Sequence, residues 1–179
     1  MNLLGRVWGP IPLCLTIYIK QFNMILSTIL FAVMVTVFLA YVSFIWAKYG
    51  VQKSISESYY VLPKKENWLF VAFCWLFAFP AMILGNSLLM LFAGGGIVFV
   101  GAAAAMHTFP TRAVHLTGAI GGMIMGCLAM IFQFNMWWLV PAIAVAIGIA
   151  ALVDKKHLMW WAEVAIFVAI SIALGFSIF

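Results

Sequence analysis

The chain has 179 residues, of which 68% are hydrophobic and only 7% charged, with nine Lys and Arg against four Asp and Glu. A soluble domain carries about 25% charged residues because its outside must face water, so a soluble globular protein is excluded, as is disorder, which needs low hydrophobicity and high charge. The composition is that of an all-α integral membrane protein, and the net charge of +5 does not point to nucleic acid, because membrane proteins gather Lys and Arg in cytoplasmic loops for topological reasons.

Residues 1–23 are mixed. Pro10 and Pro12 break any long helix, and the apolar run 13–19 is too short to span a bilayer. The stretch has one early Arg6 but no small-x-small cleavage site, so it resembles a signal peptide only loosely. It is read as an interfacial N-terminal arm or as an upstream extension ahead of a natural start at Met24, with the arm favoured. Residues 24–179 are read as one transmembrane domain.

Six apolar runs follow, each near the roughly 20 residues that a spanning helix needs. They cover 24–47, 68–85, 87–106, 113–133, 136–153 and 158–179. Pro80 should kink the second. Tryptophans 46, 68, 137, 138, 160 and 161 mark the run ends, as an aromatic belt at the water interface predicts. The expected fold is therefore a six-transmembrane-helix bundle with short loops.

The connection after the first run supplies one interfacial amphipathic segment. There Val51, Ile55, Tyr59 and Leu62 recur at helical spacing, Ser54 and Glu57 have capping-box spacing, and Pro63 ends the pattern. Lys48, Lys53, Lys64, Lys65, Arg112, Lys155 and Lys156 all fall in the odd-numbered connections, leaving Arg6 and Lys20 for the other side. The bias puts those connections in the cytoplasm and both termini outside, in a prokaryotic plasma membrane. Gly118, Gly122 and Gly126 line one helix face and, with Gly94, Gly95 and Gly96 on the preceding run, predict a closely packed hairpin. Cys14, Cys74 and Cys127 have neither metal nor redox spacing and are read as small hydrophobes.

Polar chemistry concentrates on the predicted cytoplasmic side. The first connection offers Ser54, Ser56, Ser58 and Lys53 as contacts for a phosphate or headgroup; the bland reading is capping plus snorkelling lysines. The second reads M-H-T-F-P-T-R-A-V-H, with His107 at the end of the third run, Pro110 stopping it, Arg112 just before the fourth and His115 one turn inside. Glu163 lies about 9 Å below the last connection. A carboxylate there costs several kcal/mol unless it is paired or reaches water, and Arg112 or His115 are its natural partners. The candidate binding residues are thus Ser54, Ser56, Arg112, His115 and Glu163, weighed evenly against a structural buried pair. A Zn2+ site from His107, His115, Asp154 and His157 is the alternative; it lacks an H-E-x-x-H pattern, and no cofactor is implied.

Ser54-Ile55-Ser56, the aromatic-rich run from Trp68, and Phe109-Pro110 followed by His115-Leu116-Thr117-Gly118-Ala119 resemble a family of prokaryotic six-span membrane proteins built on a domain of unknown function, akin to the damage-regulated autophagy modulator group. The likeness covers roughly residues 24–125. It implies six helices and a polar site built from the Ser-x-Ser loop and His115, but no reaction. The scattered Ser, Asp and His also invite comparison with the ceramidase and adiponectin-receptor superfamily. Six runs instead of seven, and no histidine in the last, depart from that pattern.

The leading expectation is a non-enzymatic membrane protein whose partners are membrane lipids, with an anionic lipid headgroup or small ligand held by these residues; self-association is compatible. A metal-dependent lipid hydrolase and a small transporter or channel are the alternatives. The third is disfavoured because no run carries a charge at mid-depth.

Overall fold

The structure is a computed structural model that describes residues 13–104 and 109–179, with side chains described from residue 18 onward except at 104 and 109–112. All regular structure among the described residues is helical. In chain order it comprises α1 (Leu13–Tyr49), the single turn α2 (Ser58–Val61), α3 (Trp68–Gly85), α4 (Leu88–Ala104), α5 (Phe109–Leu128), α6 (Leu139–Val153) and α7 (Leu158–Ile178). A π-helical turn (Ala129–Gln133) continues α5, and a 3-10 turn (Lys155–His157) leads into α7.

Among the described residues four helices are long and apolar enough to cross a membrane: Tyr18–Tyr49, Trp68–Gly85, Ala113–Gln133 and Lys155–Ile178. Over their described residues the other two apolar helices are shorter. At 17 residues α4 rises about 26 Å, and at 15 residues α6 rises about 22 Å. The fifth run loses length because residues 136–138 form a turn ahead of α6.

The helices neighbour one another in the order α5, α4, α3, α1, α7, α6. Met34, Phe38, Tyr41 and Ile45 of α1 are buried at the spacing of one helix face. They meet Phe70, Phe73 and Phe77 of α3 and Phe167 of α7. Tyr41 stacks on Phe73 with centroids 4.5 Å apart, and Phe77 meets Phe167 edge-on at 4.6 Å.

Two boundaries differ from the sequence expectation. The helix of the first run does not start at Met24: it already includes Leu13, the first described residue. Phe31 packs against Phe179 at the end of α7, and no residue in 18–30 is buried. The first half of α1 therefore runs past the end of α7 by about 27 Å. At the second boundary, α5 already includes Phe109, so the backbone at Pro110 and Arg112 is helical and not a loop ahead of the fourth run.

The expected amphipathic segment also differs. Only Ser58–Val61 is helical, and Ile55, Tyr59 and Leu62 are buried. The apolar stripe was legible, but it faces the bundle, where aromatic partners are available: Tyr59 lies 6.0 Å from Phe70, ring to ring.

The α4–α5 hairpin packs backbone to backbone. A Cβ at Gly96 would stand 2.5 Å from the Gly118 carbonyl oxygen and 2.7 Å from Gly122 Cα. Gly126, the third member of the stripe, faces α7, where a Cβ would lie 3.3 Å from Ile170 Cδ1. Away from that contact α5 and α7 do not pack along their lengths.

Candidate functional site

The site forms where the loop after α1 folds back onto the start of α7. Gly50, at φ 76°, ends α1 in the left-handed conformation that glycine adopts freely. The chain then runs along α7. Trp160 N–H, one of the donors that a helix start leaves without an intrahelical partner, donates to Lys53 O at 3.0 Å. Two residues on, Ile55 N–H donates to Glu163 Oε2 at 2.5 Å. Residues 53 and 55 thus present the same backbone edge to α7, one accepting and one donating.

Side-chain hydroxyls lock the loop from within. Ser54 Oγ accepts Glu57 N–H at 3.0 Å, the half of the capping box that the spacing predicted, and it lies 3.0 Å from Ser56 Oγ. Ser58 Oγ donates to Ile55 O at 2.5 Å. A serine has one proton to give, so the 2.6 Å bond to Tyr41 is donated by the tyrosine. Ser54 and Ser58 are buried, and every buried side-chain polar atom among the described residues has a partner.

Beneath the loop lies a cavity of about 70 Å³ between α3, α4, α5 and α7. Ser56 and Glu163 are its polar members. Phe70, Phe73 and Phe167 bring aromatic rings to it, and Ile97, Val100, Met123, Ile166 and Ile170 make it apolar towards the α5–α7 gap.

The expected site residues divide accordingly. Ser56 and Glu163 line the cavity, and Ser54 stands behind Ser56. His115 lies one turn from the Ala119 wall position on α5 and is half-buried, with Nδ1 3.3 Å from Val100 O. Glu163 is therefore held by the Ile55 backbone N–H and not by His115. A lone amide in a folded-back loop leaves no mark in a sequence, which is why that partner was not foreseen. The side chain of Arg112 lies outside the described residues.

Asp154 and His157 form a separate pair on the α6–α7 connection. His157 Nδ1 lies 2.8 Å and 2.9 Å from the two carboxylate oxygens, and Trp161 Nε1 donates to Oδ2 at 3.0 Å. The hydrogen bonds from Trp161 and then from His157 hold the Asp154 carboxyl below its ordinary value. Among the described residues no three His, Cys, Asp or Glu side chains come together as metal ligands; His107, the fourth member of the alternative zinc set, lies outside them.

At the opposite rim sits a second polar cluster. Gln133 Nε2 donates to Gly85 O, and Ser87 Oγ donates to Gln133 Oε1. Asn86, at φ 45°, and Asn135, at φ 53°, turn the chain on either side. Ser87 and Gln133, each isolated beside a turn at the edge of an apolar run, were the available signal.

No family model matches the chain, and no curated protein and no solved structure matches it.

Proposed function

We propose that this is a six-span integral membrane protein that receives a small lipid-phase amphiphile in the cleft between α5 and α7. The apolar end of the ligand would lie along Val100, Met123, Ile166 and Ile170, and its polar end would reach Glu163 and Ser56. The observation that carries this reading is an apolar cavity bounded by two helices that do not pack along their lengths, with a carboxylate in its wall. An ionisable residue at such a place marks a functional site by default, and a gap between helices gives a lipid-phase molecule a sideways entry.

A small ligand is favoured over an anionic lipid headgroup. Glu163 would repel phosphate, and the hydroxyls of Ser54 and Ser58 are engaged within the loop. The cavity has about half the volume of one that holds benzene, about 150 Å³, so it suits a headgroup and its first carbons, with the remaining chain lying in the gap. Loop charge supports an orientation with this end in the cytoplasm and both termini outside. Ser54, Ser56 and His115, which carry the likeness to the six-span family, lie at the same end.

The test is saturable binding of six-carbon amphiphiles to protein in dodecyl maltoside, read as a rise in Tm. Ala119→Phe places a ring in the cleft and should remove the saturable rise while helicity by circular dichroism stays unchanged. If the substituted protein binds as the parent does, the cleft is not the site.

A further inference from the structure

We infer that the head of the ligand is an organic cation, an ammonium seated between Glu163 and the three phenyl rings beside it. This rests on the cleft reading above and names the chemistry the cleft selects.

The first observation is that no described cation faces the Glu163 carboxylate, which accepts the Ile55 N–H. The ion pairs among the described residues are Lys48 with Glu66 and His157 with Asp154, so no described Lys, Arg or His neutralises Glu163. The Ile55 amide dipole offsets part of the cost of holding a carboxylate away from water, and a full counter-charge from the ligand offsets the rest.

The second observation is independent of charge. Phe70, Phe73 and Phe167 line the same cavity, with Phe73 centred 6.3 Å from Phe70 and 5.5 Å from Phe167. Aromatic rings grouped within a few ångströms attract an alkylammonium through their quadrupoles, an attraction that neither an alcohol nor a carboxylate receives. A hard metal ion would need several oxygen ligands, and Glu163 is the one acidic side chain in the cavity wall. The pair of features selects a soft, partly apolar cation.

The experiment compares hexylamine, hexanol and hexanoate, each binding to the detergent-solubilised full chain at pH 7. The amine should bind at least tenfold more tightly than the other two. In Glu163→Gln, which keeps a hydrogen-bonding oxygen for Ile55 N–H, the preference should shrink to under twofold. Equal binding of all three to the unsubstituted protein overturns the cation inference and leaves the cleft reading standing. No saturable binding of any of them overturns both. An amine preference that survives Glu163→Gln assigns the cation to another place and overturns the inference. The headgroup series on unsubstituted protein decides the matter even if the substituted chain fails to fold.

Discussion

One helix, α5, has two neighbours and treats them differently. Towards α4 it presents Gly118 and Gly122 to Gly96, and backbone lies on backbone. Towards α7 it presents Ala119, Met123 and Gly126 to Glu163, Ile166 and Ile170, and a cavity remains. Small residues close a helix pair only when both partners supply them. Where α7 sets branched and charged side chains opposite the same stripe, the helices stand apart. The difference shows how a glycine repeat can build a seam on one side and leave a cavity beside it.

The seam should break most severely. Gly96→Val puts a branched side chain against the Gly118 carbonyl, where no side chain can yield, and should cost about 3 kcal/mol in unfolding by denaturing detergent. Gly95 and Gly121, which have nothing within 4 Å of a Cβ, sharpen the contrast: Ala at either should leave stability unchanged or raise it by about 0.5 kcal/mol. A collapse with Gly95→Ala would show that the hairpin is sensitive to helix propensity and not to contact.

The cleft side should respond more mildly, through its loop. Ser58→Ala leaves the Tyr41 hydroxyl buried without its acceptor and should cost about 2 kcal/mol. The double variant Tyr41→Phe with Ser58→Ala should recover part of that loss, because it removes both polar groups together. Additive losses in the double variant would show that the two hydroxyls are not coupled.

The smallest effect belongs to the exposed connection beyond both. The Asp154 carboxyl is held below its ordinary value, so the ionised form is favoured in the folded protein. Its contribution is present above the unfolded value of about 3.9 and is lost as pH falls through the lower folded value. The Tm advantage of the parent over Asp154→Asn should be constant from pH 7 to 5 and should fade below about pH 4. An advantage that grows in acid would reverse the sign.

Apolar runs made most of the helical architecture legible. The α3 boundaries agree with the sequence expectation, and α6 and α7 agree at one end each, because length and hydropathy are local properties. That α1 includes residues 13–23 did not emerge, since Lys20, Gln21 and Asn23 interrupt the apolar pattern without interrupting the helix. Ile55, Tyr59 and Leu62 were recognised as one face, but whether that face meets lipid or protein depends on Phe70 and its neighbours, which are distant in sequence. Glu163 stood out by the cost of its charge. Its partner did not, because a backbone N–H belongs to every residue and carries no signature. The phenyl rings of the cavity were hidden among the 16 phenylalanines of a greasy chain.

The π-helical turn at the end of α5 has a consequence of its own. There Phe134 N–H reaches back five residues to Ala129 O at 3.0 Å, so the turn holds one residue more than an α-helical turn would. Shortening it by a single amino acid would tighten the spiral and swing the Gln133 amide through about 100°, off the Gly85 carbonyl. The clasp between the tip of α5 and the α3–α4 corner thus depends on chain count as much as on chemistry, and a one-residue deletion there would be felt where many point substitutions would pass.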